Sequence, residues 1–167
     1  SVIEEGAVRR IDLGQANGRW FALMVGIGLD AQAVKIVNPK LKKYLGGYAY
    51  HLAGLKSLFS FKPVAFRLKI NGKNELLGYA AIISNAHYYG GSHQVNPAAR
   101  IDDGFLHLCL FEKGQKRDYV RYFWGIIRKR HHRYADVLFE KIKEVIISEK
   151  GVPIHADGDF IGYTPLH

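Results

Sequence analysis

The chain has 167 residues, of which 48% are hydrophobic and 23% are charged, and its formal net charge at pH 7 is +9. These values are ordinary for one soluble globular domain with a sizeable core, and they exclude a low-complexity chain. The positive charge favours a polyanionic partner, whether nucleic acid, anionic membrane or phosphorylated substrate, although many basic proteins have none.

The single cysteine and the apolar runs bear on the compartment of the protein. Because Cys109 is the only cysteine, the chain forms no internal disulfide, which is typical of a reducing compartment. Cys109 lies within an apolar strand pattern, so we expect a buried residue rather than a nucleophile. The longest apolar run, Trp20 to Leu29, is shorter than the ~20 residues that cross a bilayer. We therefore expect a cytoplasmic protein.

The first third of the chain changes from a strand pattern to a helix pattern. Ala7 to Leu13 and Arg19 to Ile27 are predicted strands. Asn17-Gly18 between them is typical of a hairpin turn, because both residue types tolerate positive φ. From Asp30 to Phe59, apolar residues recur at three- and four-residue spacing, which predicts a helical segment.

The next segment returns to strands. Phe66 to Ile70 alternates between apolar and charged residues, which predicts a strand with one buried face. Asn71-Gly72 predicts a second hairpin turn, and Leu76 to Ser84 is predicted as the returning strand. A loop rich in glycine, asparagine and histidine follows from Asn85 to Arg100.

The last segment contains three predicted strands and one helix. The strands are Gly104 to Phe111, Lys141 to Ser148 and Val152 to Ala156, and the amphipathic helix is Arg117 to Arg130. The last strand leads into Asp157-Gly158-Asp159. The whole pattern predicts a mainly β domain of the α+β class with two helical excursions.

Two acidic turns are the candidates for chemistry. Asp102-Asp103-Gly104 and Asp157-Gly158-Asp159 each lie at the end of a predicted strand. Turn formation alone explains such residues, because Asp-Gly suits left-handed backbone positions. Carboxylates on turns of this kind can also bind Mg²⁺ or accept a hydroxyl proton during phosphoryl transfer. Local sequence leaves both interpretations open.

Several known catalytic and nucleotide-binding patterns are absent from the sequence. Val25 to Asp30 resembles a dinucleotide-binding glycine loop, but Ala31 takes the place of the third glycine. No G-x-x-x-x-G-K-[ST] phosphate loop and no G-x-S-x-G nucleophile motif occur in the chain. We expect that this chain does not hold ATP by itself.

A basic run, Arg128 to Arg133, follows the second predicted helix. Cationic side chains at a helix C-terminus interact favourably with the helix dipole, and this explains the run without any further role. Alternatively, together with Lys40, Lys42 and Lys43, it contacts anionic lipid headgroups. A different hypothesis is a non-catalytic basic β-module that binds single-stranded nucleic acid through tyrosine-rich loops. The aromatic residues that alternate along strands are more naturally core residues, which weakens that hypothesis.

Five motifs occur in a fixed order along the chain. They are Gly26-Ile27-Gly28-Leu29-Asp30-Ala31, Gly47-Tyr48-Ala49-Tyr50, Asn85-Ala86-His87-Tyr88-Tyr89-Gly90-Gly91, Pro97-Ala98-Ala99-Arg100-Ile101-Asp102-Asp103-Gly104-Phe105-Leu106 and Asp157-Gly158-Asp159-Phe160-Ile161-Gly162. Their succession resembles the C-terminal domain of bacterial diacylglycerol-kinase-family lipid kinases, and the resemblance covers almost the whole chain, from about Gly6 to Pro165. It implies an atypical β-sandwich, the C-terminal domain of the NAD kinase/diacylglycerol kinase-like fold.

The resemblance also implies roles for particular residues. Asp157 matches the aspartate that acts as general base on the lipid hydroxyl, and Asp159 stands where the family usually has glutamate. Asp103 matches a carboxylate ligand of a structural Mg²⁺, whose other protein ligands are the backbone carbonyls at Arg100 and Phe105. The catalytic Mg²⁺ arrives with ATP.

The family has an N-terminal ATP-binding domain with a Gly-Gly-Asp-Gly-Thr loop, which is absent from residues 1–167. Together with the start at Ser1, this predicts an excised domain that has no kinase activity alone. The expected partners are a lipid substrate and ATP, with peripheral contact to the inner membrane face and no nucleic acid. The residues leave the acceptor open among diacylglycerol, sphingoid, ceramide and phosphatidylglycerol lipids, and they do not fix the oligomeric state.

Overall fold

A computed structural model describes residues 6, 8–36, 62–88 and 93–167 of the chain. The Gly47-Tyr48-Ala49-Tyr50 motif, the three lysines at 40, 42 and 43, and the second part of the first predicted helix lie outside these residues. The described elements, in chain order, are β1 (Gly14–Ala16), β2 (Arg19–Phe21), β3 (Met24–Ile27), α1 (Leu29–Ile36), β4 (Phe66–Ile70), β5 (Asn74–Gly78), β6 (Ala80–Ser84), β7 (Leu106–Phe111), α2 (Lys116–Ile127), a 3₁₀ turn (His131–Arg133), β8 (Val137–Ile142), β9 (Val145–Ile146), β10 (Pro153–Ala156) and β11 (Asp159–Tyr163).

The strands form one large sheet and two small ones. The large sheet has the order β11-β10-β3-β6-β7-β8, and each neighbouring pair in it is antiparallel. A three-stranded sheet has the order β5-β4-β9, and β1 pairs with β2 as a separate hairpin. This architecture confirms the predicted mainly β fold with two helices.

The central strands of the large sheet, β3, β6 and β7, are buried on both faces. One face packs against the three-stranded sheet, where Val25 and Leu108 join Phe66 and Leu68 in the main core. The opposite face is covered by α2, whose tyrosines share a second core with Cys109. Burial of both faces explains why the central strands are almost continuous apolar runs. Cys109 is fully buried, as predicted.

Helix α2 packs through one stripe of residues. Tyr119, Tyr122 and Gly125 recur at three-residue spacing and are buried. At its N-terminus, the Asp118 carboxylate accepts the backbone N–H of Gln115 at 3.0 Å, which satisfies one of the first amides of the helix. Within the described ranges, no helix has the length and apolarity that crossing a membrane requires.

Both predicted hairpin turns are confirmed. Asn17 and Gly18 have φ of 50° and 84°, and Asn71 and Gly72 have φ of 48° and 70°. These angles place both central residues of each turn in the left-handed region, as a type I′ hairpin requires. Here the local residue pair determines the local conformation.

The predicted strand from Ala7 to Leu13 is wrong for the part that the structure describes. Residues 8–13 belong to no strand, and the first strand instead begins at Gly14. Val8 and Leu13 are exposed, so the segment has no sheet face to bury. A hydrogen bond from the Asp12 N–H to the Ile101 carbonyl oxygen, 2.7 Å long, attaches it to a loop instead.

Other predicted strands differ in their limits. Arg19 to Ile27 divides into β2 and β3, and Leu76 to Ser84 divides into β5 and β6 at Tyr79; in each case the two parts join different sheets. The single strand predicted at Lys141 to Ser148 is in fact the end of β8 followed by β9, and β11 was not predicted. Apolar character continues through these divisions, so the pattern does not reveal them.

Candidate active site at two acidic turns

The first acidic turn connects β10 to β11. Asp157 and Gly158 have φ of 48° and 82°, so this hairpin again has two left-handed residues. The backbone N–H of Asp157 donates to the carbonyl oxygen of Met24 at 2.9 Å, which ties the turn to the start of β3. Asp157 itself is exposed, at the end of β10 in the large sheet.

The Asp157 carboxylate is held by backbone donors. Its Oδ2 accepts the N–H of Ala22 at 2.8 Å, and its Oδ1 accepts the N–H groups of Leu23 and Met24 at 2.9 Å each. An ionised carboxylate offers about four acceptor positions. Within the described part of the chain, therefore, one acceptor position remains on Oδ2 of an otherwise fixed group.

The buried side chain of His155 joins this turn to α1. His155 is 2% exposed, and its Nε2 lies 2.5 Å from Oδ2 of Asp30, which belongs to the first turn of α1. Its Nδ1 accepts the backbone N–H of Gly158 at 3.3 Å, so we place the ring proton on Nε2, which donates to Asp30. Gly26 makes room for the pair, because a Cβ there would overlap both side chains.

The local sequence indicates no role for either member of this pair. Asp30 lies in the Gly26-Ile27-Gly28-Leu29-Asp30-Ala31 motif, and His155 lies in a predicted strand. The helix dipole stabilises an acidic residue in the first turn of a helix, and this ordinary role is enough to explain Asp30. The sequence pattern therefore does not indicate its contact with a histidine 125 residues later.

Asp159 differs from Asp157 in its partner. Its Oδ2 pairs with Nη2 of Arg19 at 2.8 Å, and the two side chains are 65% and 49% exposed. An exposed ion pair of this kind contributes little to stability. It nevertheless links β11 to the β1–β2 hairpin, close to the residues that hold Asp157.

The second acidic turn lies just before β7. Oδ2 of Asp103 lies 3.0 Å from Nζ of Lys141 and 3.1 Å from Nε2 of His107, and Oδ1 accepts the N–H of Phe105 at 3.2 Å. Burial alone would raise the pKa of Asp103, but the hydrogen bonds from Lys141 and His107 outweigh it and lower the pKa. This carboxylate is charged and already balanced by a cation.

Asp102 is balanced in the same way. Its carboxylate is hydrogen-bonded to Arg9 and lies 3.8 Å from Nε of Arg100. The hydrogen bond from Arg9 is the main cause of a lowered pKa at Asp102. Both carboxylates of this turn therefore contact cationic side chains, whereas Asp157 contacts backbone amides.

The predicted Mg²⁺ ligands can be tested against this arrangement. The Asp103 carboxylate and the carbonyls of Arg100 and Phe105 are oxygen donors, which Mg²⁺ prefers. Lys141, however, already binds the carboxylate at 3.0 Å. In this arrangement an ammonium group takes the place of a metal ion beside Asp103, and the structural Mg²⁺ stays a prediction.

A chain of hydrogen bonds joins the two turns through Asn85. The Asn85 side-chain Nδ2 donates to the carbonyl oxygens of Ala22 at 2.8 Å and of Asp12 at 2.7 Å, and its backbone N–H donates to Leu23 at 2.8 Å. The Asp12 carboxylate in turn accepts the N–H of Gly104 at 2.6 Å. Asn85 therefore positions the segment that holds Asp157 and also the residue that holds the second turn.

Two cavities lie beside this chain of bonds. The larger, of about 580 Å³, extends between the sheets and has Asp12 and Asn85 among its polar lining. Its apolar lining includes Trp20, Phe21, Val25, Ile83, Leu106 and Val145. The smaller, of about 480 Å³, is lined by Leu23 from the first turn, by Asp102 from the second, and by Arg9 and Arg100.

Comparison with known proteins identifies the fold family. Residues 23–167 match the family described as the YegS C-terminal NAD kinase beta sandwich-like domain. The chain belongs to this family. The match confirms the resemblance inferred from the five motifs, and it agrees with the sandwich of two sheets seen in the structure.

Curated proteins similar to this chain are named for an activity. The chain is 28% identical over 165 residues to the diacylglycerol kinase of Bacillus subtilis strain 168, covering 96% of the chain and 54% of that protein. It is 28% identical over 170 residues to the diacylglycerol kinase of Staphylococcus carnosus strain TM300, covering 99% and 55%. The chain thus spans about half the length of the curated relatives it matches.

A solved structure gives the same fold. A diacylglycerol kinase from Bacillus anthracis strain Sterne superposes with a TM-score of 0.67 at 23% identity, covering 99% of this chain and 54% of that one. The superposition extends over both sheets of the sandwich, so the fold class predicted from the sequence is confirmed.

Proposed function

We propose that the protein containing this domain transfers the γ-phosphoryl group of ATP to a hydroxyl group of a diacylglycerol-like lipid. The observation that carries the proposal is the exposed Asp157 carboxylate, fixed by three backbone N–H groups and retaining one acceptor position. The names of the curated relatives support the substrate class. The nucleotide would be held by another domain, because this sequence has no phosphate-binding loop.

In this proposal Asp157 acts as the general base. A lipid alcohol is a weak nucleophile, and its oxygen attacks the γ-phosphorus more readily if a carboxylate accepts its proton as the bond forms. ADP then leaves with the electron pair of the broken P–O bond. Catalysis of phosphoryl transfer depends mainly on positioning and charge, so a base held by the backbone suits the reaction.

The larger cavity suits the apolar part of the acceptor. Its volume of about 580 Å³ lies in the range of ligand pockets, and most of the side chains that line it are apolar. Trp20 and Phe21 line it and directly precede the segment that holds Asp157. Asp157 itself lines neither cavity, so the proposal places the chain of the lipid in the larger cavity and its polar end beyond Phe21, toward the Ala22–Met24 segment that holds Asp157.

The alternative of nucleic-acid binding receives less support. Phe66 and Phe111 are buried in the two cores, so these strand aromatics are not available to stack on bases. A sphingoid, ceramide or phosphatidylglycerol acceptor would use the same base and cavity. The proposed reaction type does not depend on which of these lipids is the acceptor.

The decisive variant is Asp157→Asn in the complete protein. With radiolabelled ATP and diacylglycerol in mixed micelles, we expect kcat to fall by about 10²–10⁴-fold, which is the usual contribution of a general base. Glu75→Gln is the matched control, because Glu75 is exposed on β5 in the other sheet. A folded Asp157→Asn protein with the kcat of wild type would exclude Asp157 as the base.

An unfolding measurement separates chemistry from structure in this experiment. Asparagine offers one acceptor oxygen in place of two, so the variant also loses part of its bonding to the Ala22–Met24 segment. We therefore expect a lower unfolding midpoint, which circular dichroism measures. A kcat that falls about 10²-fold or more at a temperature where the variant is still folded would assign the loss to chemistry, whereas a kcat that falls only in step with the folded fraction would assign it to structure.

A further inference from the structure

The outer face of α2 is apolar as well as its inner face. Val120, Phe123 and Trp124 are 43%, 38% and 49% exposed, and they follow one another at helical spacing on the side away from the sheet. Ile127 continues the stripe and is half-buried. The helix therefore covers the core with one face and presents a second apolar stripe outward.

Positive charge is concentrated around this stripe. The segment from Lys113 to Arg133 contains eight lysines and arginines and a single acidic residue, Asp118, which is buried at the helix N-terminus. Some of the cations have partners on the protein: Arg121 pairs with Asp136, Nζ of Lys113 lies 4.0 Å from the same carboxylate, and Arg128 lies 5.5 Å from the Trp124 ring centroid. The eight are Lys113, Lys116, Arg117, Arg121, Arg128, Lys129, Arg130 and Arg133.

We propose that this α2 face docks on an anionic membrane, with Val120, Phe123 and Trp124 entering the boundary between headgroups and acyl chains. A helix with an apolar aromatic stripe and flanking lysines and arginines is the pattern of a peripheral interfacial helix. The exposed Arg128, Lys129 and Arg130 would lie at headgroup level, where anionic lipids attract them. A membrane supplies both the apolar phase and the negative charge.

Other occupants match the face less well. The phosphates of a nucleic acid could bind the cations and its bases could stack on Trp124, but neither would bury the aliphatic Val120 and Ile127. A protein partner would have to be strongly acidic to balance so many cations around so small an apolar stripe. The proposal goes beyond lipid phosphorylation and depends on none of the residues around Asp157.

The test is co-sedimentation of the full chain with vesicles. We expect binding to phosphatidylglycerol mixed with phosphatidylcholine, and little binding to phosphatidylcholine alone. The double change Phe123→Ser, Trp124→Ser should weaken binding about tenfold or more, because it removes most of the inserting apolar surface. Leu77→Ser is the matched control: Leu77 is 52% exposed on β5, and its loss should change nothing.

A second measurement follows insertion directly. The chain has two tryptophans, so Trp20→Phe leaves Trp124 as the only tryptophan reporter. Acyl-brominated anionic vesicles should quench its fluorescence, and Arg128→Gln with Lys129→Gln and Arg130→Gln should reduce that quenching.

Binding without quenching, equal binding to neutral vesicles, or an α2-dependent dimer in sedimentation analysis would overturn the proposal. Kinase assays in detergent micelles are independent of this result, so either proposal can fail alone.

Discussion

The two acidic turns have similar sequences but different electrostatic surroundings. Both combine aspartate with glycine next to a strand, and both lie at the same end of the strands of the large sheet. Asp102 and Asp103 contact arginine, lysine and histidine side chains. Asp157 contacts three backbone amides, and among the described residues it makes no ion pair with a cationic side chain.

This difference indicates which carboxylate is suited to chemistry. A carboxylate balanced by a cationic side chain is stabilised in its charged form, and the lowered pKa of Asp102 and Asp103 makes them weaker proton acceptors. The Asp157 carboxylate is instead held in position by backbone dipoles. This difference supports the proposal that Asp157 is the base and that the Asp103 turn has a structural role.

The largest effect on stability is expected from Gly26→Ala, which disturbs only the first turn. The added Cβ would overlap His155 and Asp30, and overpacking of this kind typically costs about 1–3 kcal/mol. Urea unfolding measures the cost. The matched change in the second turn is Gly104→Ala, where a Cβ meets open space and only the φ of 73° is unfavourable, at about 1 kcal/mol. A larger cost for Gly104→Ala would contradict the packing argument.

An intermediate effect is expected from Asp103→Asn. Removing the charge weakens the contacts to Lys141 and His107 and should lower the free energy of unfolding by about 1 kcal/mol. The pKa of Asp103 is lowered in the folded protein, so its contribution is present above the ordinary value of 3.8 and is lost as pH falls through the folded pKa. The difference between wild type and variant should therefore disappear in strong acid. A difference that persisted there would show another cause.

The smallest effect is expected from Lys141→Met. Lys141 is 50% exposed, so the loss of its ion pair should cost only about 0.5 kcal/mol. The same change removes the ammonium group that competes with a metal ion for Asp103. Mg²⁺ should then raise the unfolding midpoint of Lys141→Met more than that of wild type. An equal response in both proteins would mean that Lys141 does not occupy the position of a cation.

Local signals in the sequence predicted local structure well. Asn17-Gly18 and Asn71-Gly72 identified their turns because the two residues alone decide the sign of φ. The alternation from Phe66 to Ile70 gave β4 with its limits, since one face of that strand is buried and the other is not. The order of the motifs also predicted the family and the fold.

Contacts between distant segments could not be predicted in this way. The bonds that hold Asp157 come from residues 133 to 135 positions earlier, and nothing in the local pattern at Ala22 or Leu23 indicates them. The same bonds explain why the predicted strand Arg19 to Ile27 is divided, because Ala22 and Leu23 donate to a carboxylate instead of continuing a sheet. The role of Lys141 required knowledge that β8 lies beside β7.

Asn85 links the two acidic turns mechanically. Its side-chain amide and its backbone bond to the Ala22–Leu23 segment that holds Asp157, and the same amide bonds to Asp12, whose carboxylate accepts the N–H of Gly104 in the other turn. A displacement of either turn would therefore reach the other through a few short hydrogen bonds.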